Sequence, residues 1–284
     1  MKEVKIYISD SQNIFSNLAL EEYLVTQNKE DILLFYINQD AVVIGKHQNP
    51  WREVDLNQIG DGINDRKLAR RLSGGGTVFH DVGNINFSFI RNKEEDFVNF
   101  REHIEPISKA LNCLGIENQI SPRNDIFVND HKVSGNAEHV NSKLGRILHH
   151  GTLLYDSDLI RLNGSIRPKT SLNIKTHAVD SVRSPVLNMR TVKNLGTTSD
   201  FFQLLIVELK NTLDTVSIGG ITPEQIDAVN TLVKEKYISK EWTFGHTPAF
   251  TYTNDSGDEF KIRKGKVESS STEKHIGLLF EEIL

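Results

Sequence analysis

The sequence predicts an α+β fold built on a largely antiparallel sheet. Short β-branched or aromatic runs bounded by Gly or polar residues come in clusters. Helical patterns stand between the clusters without regular βαβ alternation. From Glu241 the texture turns polar, with Gly and Ser and no long apolar stretch, which sets a boundary near 240. The expected division is a catalytic domain over 1–240 and a short C-terminal appendage over 241–284, near the lower limit for an independent core.

The opening MKEVKIYISDSQ reads as a first strand, since it has no apolar core of the secretory kind. Ser9-Asp10-Ser11 is the expected cap of a helix from about Asn13 to Gln27. Ile14, Leu18, Leu24 and Val25 share one face of that helix. Asn17 and Glu21 fall near the same face, and we read them as a structural hydrogen-bonding pair rather than as a catalytic carboxylate and its partner. ILLFYIN (32–38) and AVVIG (41–45) are strands. LARR (68–71), TVFHD (77–81) and INFSFI (85–90) continue the sheet. Phe97 to Leu114 is a helix, disturbed at Pro106. IFVND–HKVSG (126–135) is a hairpin turning at Asn129-Asp130. ILHHGTLLYD (147–156) is another strand, and helices follow at Ser199–Leu213 and Pro223–Tyr237.

The composition limits the function classes. Hydrophobic residues at 38% and charged residues at 25% fit a globular chain. No apolar run approaches a membrane span, and a net charge of −5 argues against nucleic acid as the main partner. Cys113 is the one cysteine, so an internal disulfide and a multi-cysteine zinc site are excluded. We expect a buried structural thiol, a reducing cytoplasm and a monomer.

Three segments carry chemistry. In Arg70-Arg71-Leu72-Ser73-Gly74-Gly75-Gly76-Thr77-Val78-Phe79-His80, three glycines lie between two strands. Glycine costs conformational entropy, so the run points to close backbone approach and N–H groups aimed at anionic oxygens. Two upstream arginines suit a phosphate or carboxylate clamp. A glycine-rich turn with solvated arginines is the plainer alternative. The spacing matches neither a Walker A loop nor GxGxxG. In Arg123-Asn124-Asp125 followed by Lys132-Val133-Ser134-Gly135-Asn136-Ala137, a hairpin lysine is a candidate partner of a phosphate or acyl oxygen, and Asp125 is a candidate Mg²⁺ ligand. A lone lysine of this kind is usually a surface residue. In His149-His150-Gly151-Thr152, adjacent histidines on a strand face opposite ways, so one of them can enter a given pocket.

Together these segments, with SNLALEEYL and SVRSPVLNM, resemble the lipoate–protein ligase family over about residues 1–245. The resemblance implies a biotin/lipoate ligase-like α+β fold. It implies that lipoate and ATP give lipoyl-AMP, which a lysine of an acceptor protein then attacks. Glycine-cleavage H protein and the lipoyl domains of 2-oxoacid dehydrogenases are the acceptors it implies. On the nucleotide and adenylate side it implies Arg71, Ser73, Gly74, Gly75, Gly76, Thr77, Val78, Phe79, Asn84, Asn124 and Asp125. It implies Lys132 as the catalytic lysine, with Ser134, Gly135, Ala137, His150 and Thr152 beside it. For lipoate it implies Leu72, Gly75, Lys132 and His150. Leu72, Val78, Phe79 and Val133 suit an eight-carbon tail equally as ordinary core. ATP, Mg²⁺ and lipoate are the implied co-substrate, ion and substrate, with no permanently bound cofactor. Longer family members carry a larger C-terminal domain, which puts adenylation by this chain alone in question. The alternatives are an ATP-independent lipoyl or octanoyl transferase and a non-catalytic carrier-binding homologue.

Overall fold

The computed structural model describes residues 4–60, 65–93, 99–166, 172–213, 216–271 and 273–284. In chain order the elements are β1 (Val4–Ile8), α1 (Ile14–Gln27), β2 (Asp31–Ile37), β3 (Ala41–Ile44), α2 (Pro50–Glu53), β4 (Lys67–Arg70), β5 (Val78–His80) and β6 (Asn84–Asn92). Then come α3 (Arg101–Cys113), β7 (Gln119–Ile120), β8 (Ile126–Val128), β9 (His131–Ser134), β10 (Asn136–Asn141), β11 (Arg146–Leu154) and α4 (Leu159–Ser165). The rest are β12 (Ile174–Thr176), α5 (Thr198–Thr212), β13 (Val216–Ile218), α6 (Pro223–Leu232), β14 (Phe250–Thr253), β15 (Glu259–Arg263) and β16 (Lys266–Ser270). They form two compact units interleaved along the chain: Met1–Asp40, His80–Leu159 and Arg183–Thr231 in the first, and Ala41–Phe79, Ile160–Val182 and Leu232–Leu284 in the second.

The first unit is built on a six-stranded sheet of order β10-β11-β6-β2-β1-β13. β6 pairs antiparallel with β2 and β11, whereas β1 runs parallel to β2 and β13. Strand alternation splits its residues between two faces. Phe35, Phe87, Phe89 and Leu153 face the core, with Ile104, Ile107 and Leu111 of α3 and Phe201, Leu205 and Leu209 of α5. Phe35 meets Phe202 edge-on at 5.4 Å. Truncating a buried phenylalanine such as Phe87 to alanine costs about 3–5 kcal/mol. The opposite face carries Tyr36, Asn86, Ser88, His150 and Thr152, and Glu21 of α1 bonds into it. The sheet therefore has an apolar face for stability and a buried polar face.

Local signals explain the element ends, with several corrections. α1 is capped by Asn13, whose Oδ1 accepts from the N–H groups of Phe15 and Ser16, rather than by Ser9–Ser11. Asn17 and Glu21 also do not act as one pair. Asn17 bonds to Ser9, Ser11 and Asn38, while Glu21 bonds to Ser88 and His150. α3 runs unbroken through Pro106. Its expected start at Phe97 lies outside the described residues. α5 opens on a capping box between Thr197 and Asp200. α6 ends at Leu232 and continues as a π-type turn over Val233–Tyr237, where Ile238 N–H reaches the Val233 carbonyl.

The strands LARR and TVFHD do not continue the first sheet. β4 and β5 flank β3 in a separate three-stranded sheet, with β3 and β4 parallel. Four consecutive register pairs with β3, Ala41↔Lys67 to Ile44↔Arg70, commit β4 there. The other sheet of the second unit has the order β12-β14-β15-β16. Its core gathers Phe250, Tyr252, Phe260, Ile262, Val267 and Phe280 around Trp51. Residues 241–284 thus share their core with Trp51 and their sheet with β12, which supplies the apolar area that their own sequence lacks.

Cys113 is exposed, not buried. α3 buries His103, Ile104, Ile107, Ser108, Ala110 and Leu111. Cys113, its last residue, falls off that stripe.

Candidate active site

In the first unit, the β8–β9 hairpin turns at Asn129 and Asp130, both with positive φ (47° and 61°). Two left-handed residues make the two-residue turn that matches strand twist. The hairpin carries Lys132, whose Nζ lies 3.0 Å from Asp125 Oδ2. Asp125 Oδ1 accepts from the Asn136 N–H at 3.2 Å. Asn124, at φ 62°, donates from Nδ2 to Glu138 and accepts from Asn136 Nδ2 on its carbonyl. The Lys132 backbone N–H donates to the Pro185 carbonyl at 2.8 Å.

Gly135 gives the lysine its room. A Cβ there would lie 2.9 Å from Lys132 Cε and 3.1 Å from Nζ. Gly135 N–H donates to Thr152 Oγ1 at 3.1 Å, and Thr152 N–H returns a bond to the Gly135 carbonyl. Lys132, Asp125, Gly135 and Thr152 therefore form one cluster. Ala137 pairs with His150 across β10 and β11. His150 Nδ1 lies 2.8 Å from Glu21 Oε1, which also accepts from Ser88 Oγ at 2.6 Å. Asn84 donates to Asn86, and its Oδ1 is buried with no hydrogen-bond partner. Ser134 is buried and accepts from Asn136 Nδ2.

The adjacent histidines separate as strand geometry demands. His149 lies in an aromatic cluster with Phe87, Phe100 and His103. Burial holds the His149 imidazole below its ordinary range, and burial with the neighbouring His149 and Arg91 takes His103 down to about 3.

In the second unit, residues 71–77 link β4 to β5, and Arg70 and Arg71 at the start of the link do not point out as a clamp. Arg70 is fully buried. It donates to the carbonyls of Thr243, Gly45, Lys46 and Gln48 and to Thr247 Oγ1. Burial lowers its pKa to about 10. The Arg71 guanidinium donates to the carbonyls of Gly74 (2.6 Å), Gly76 (2.7 Å) and Val43, and to Ser73 Oγ. It shapes the loop from its carbonyl side.

The three glycines differ. Gly75 has φ +83°, a conformation that favours glycine. A Cβ on Gly76 would lie 3.1–3.3 Å from Ser181. A Cβ on Gly74 would meet nothing within 4 Å. At Gly74 the missing side chain leaves open space, whereas at Gly76 it leaves room for Ser181. Thr77 Oγ1 donates to Gln48, and its N–H donates to Ser181 Oγ. Phe79 and Val133 belong to buried core clusters, whereas Leu72 and Val78 are part-exposed.

Among the described residues no group of three or more His, Cys, Asp and Glu side chains is arranged to hold a metal. Asp125, the expected Mg²⁺ ligand, is a single carboxylate already bonded to Lys132 and Asn136. Gln48 and Glu53 join these clusters without lying in any motif, and Glu21 and Ser181 join them from SNLALEEYL and SVRSPVLNM, where sequence reasoning assigned neither a site role.

In the first unit a fixed lysine ammonium is suited to anionic oxygens, and in the second a braced glycine loop is suited to close backbone approach. Residues 13–210 match the lipoyl protein ligase A/B catalytic domain model, and the chain belongs to that family. It is 37% identical over 275 residues to lipoate-protein ligase LplJ of Bacillus subtilis, covering 91% of this chain and 82% of that one. A lipoate-protein ligase A structure bound with ATP matches at TM-score 0.71 and 26% identity, over 86% of this chain and 100% of that chain. A putative lipoate protein ligase from T. acidophilum with bound lipoic acid matches at TM-score 0.69 and 25% identity, with the same coverages. The activity is that of a ligase joining lipoate to protein.

Proposed function

We propose that the chain makes lipoyl-AMP from lipoate and ATP and passes the acyl group to a lysine of a lipoyl-domain or H-protein acceptor. In the first step a lipoate carboxylate oxygen attacks the α-phosphorus, and pyrophosphate leaves. In the second the acceptor amine attacks the acyl carbon, AMP leaves, and the amine loses a proton. Both steps gather negative charge on oxygen, and a fixed ammonium stabilises it. The observation that carries this reading is the Lys132 ammonium, held 3.0 Å from Asp125 and fitted into the space left by Gly135.

Arg71, Ser73 and Gly74 to Phe79 serve the adenylate in this reading, with Asn84, Asn124, Asp125, Ser134, Ala137 and Thr152. Leu72, Gly75 and His150 serve the acyl group. Mg²⁺ enters with the nucleotide as its counter-ion. In this reading the chain works as a monomer in a reducing cytoplasm, where a lone thiol stays unpaired. Among the described residues no helix is long and apolar enough to cross a membrane. Incubation with lipoate and α-labelled ATP tests the reading. Labelled lipoyl-AMP and pyrophosphate are expected, and their absence from folded protein removes it.

A further inference from the structure

Glu53 is a buried carboxylate at the end of α2, and all the donors it gathers come from two other segments of the second unit. Ser181 gives it both the hydroxyl and the backbone N–H, and Thr77 gives it the hydroxyl at 3.4 Å. Ser181 Oγ in turn accepts from the Thr77 N–H at 2.9 Å and from Gln48 Nε2 at 3.0 Å. Glu53 and Ser181 thus tie segment 172–182 to the turn that closes the glycine loop. Two further observations bear on the same contact. Gly76 approaches Ser181 so closely that a Cβ would press on it at 3.1 Å. The segment also begins as β12, the edge strand of the C-terminal sheet, in register with β14 from Ile174↔Tyr252 to Thr176↔Phe250.

We infer that Glu53 and Ser181 are positioning residues of the ligase reaction, setting the Gly76–Thr77 turn from behind while the β12–β14 pairing sets Ser181. The inference rests on the adenylating role proposed above. A buried carboxylate held by two donors of Ser181, with the Thr77 hydroxyl shared between it and Gln48, is a rigid fixture. Removing one partner leaves the others unsatisfied in a poorly solvated place. The C-terminal strands act on the loop through β12, so residues 241–284 contribute to the reaction without contributing a reacting group.

The test uses the full chain and two kinds of readout. In lipoyl-AMP formation, Ser181→Ala is expected to raise KM for ATP about tenfold, the loss of a hydrogen bond to a charged group, with kcat changed less than about threefold. Glu53→Gln keeps an acceptor oxygen and should lose less than Glu53→Ala. Gly76→Ala and Ser181→Ala disturb the same contact, so the double variant should lose less than the product of the two single losses. Independently of activity, trypsin cleavage after the exposed Lys175 should be about tenfold faster in Ser181→Ala than in the wild type.

An unchanged KM, multiplicative losses or unchanged cleavage would each overturn the positioning role. If the wild type makes no lipoyl-AMP, the ligase reading fails. The proteolysis then still decides whether Glu53 and Ser181 hold the segment.

Discussion

Gly135 and Lys132 share one space: a methyl group on the glycine would stand 2.9 Å from the lysine Cε. The glycine thereby sets where the ammonium rests. Gly135→Ala should displace the ammonium and lower kcat for both half-reactions by about 10- to 100-fold, because a misplaced charge loses much of its transition-state effect. Lys132→Ala should remove both half-reactions while changing stability by no more than about 1 kcal/mol, since its pair with Asp125 is partly solvated. Transfer from supplied lipoyl-AMP at the wild-type rate by a folded Lys132→Ala protein would contradict the double role.

Gly74→Val tests whether the loop receives a ligand. Its Cβ meets no protein atom within 4 Å, and its φ is not in the left-handed range. Stability should change by no more than about 0.5 kcal/mol. Affinity for lipoyl-AMP, measured by calorimetry, should fall at least about tenfold. Gly75 is the poorer probe, since its φ of +83° strains any side chain. An unaltered affinity would mean that nothing binds over Gly74.

Stability should fall in mild acid through His103. Burial takes its folded pKa to about 3, below the ordinary 6.5, so the unfolded chain binds the proton first. The contribution is complete above about pH 6.5 and declines as pH falls from there towards about 3. At pH 5 the loss is about 2 kcal/mol from this group. Its ring stacks on Phe89 at 5.9 Å, and its Nδ1 is buried without a hydrogen-bond partner. His103→Phe should therefore fold and flatten the decline. Denaturant melts at pH 8 and pH 5 measure both slopes, and parallel slopes would exclude His103 as the source.

Cys113 separates the ligase from a thiol-dependent transferase. It is exposed at the end of α3, so iodoacetamide should alkylate it readily. ATP-dependent lipoylation should nevertheless survive alkylation and Cys113→Ser, because ATP already supplies the leaving group. Mass spectrometry after turnover should find no acyl thioester. An acyl group on Cys113 would transfer the reaction to the other class.

What could be read from the sequence follows the range of each interaction. The α+β class, the β8–β9 hairpin and the opposite facing of His149 and His150 depend on alternation and neighbouring residues. The separate sheet of β3, β4 and β5 was not legible, because strand partners are chosen by tertiary pairing. Sequence cannot tell which way a strand-end arginine turns, and Arg70 proved to be an internal brace. Cys113 was misread because it stands just beside an apolar stripe at the point where the helix ends. Glu53 lies in no motif, Ser181 only opens SVRSPVLNM, and the two meet across 128 positions of chain.

The bonds from Arg70 to Thr243 span 173 positions. As the chain leaves the ribosome, β3 and β4 emerge long before the carbonyl that Arg70 needs and before the rings that cover Trp51. A chain stopped near residue 240 would hold a cation lacking its Thr243 and Thr247 partners and an indole lacking the rings of Phe250 and Phe280. The second unit must therefore mature after most of the first has been synthesised. A peptide covering 241–284 supplied in trans should rescue a chain truncated at 240, since the missing part is a set of partners rather than an autonomous fold.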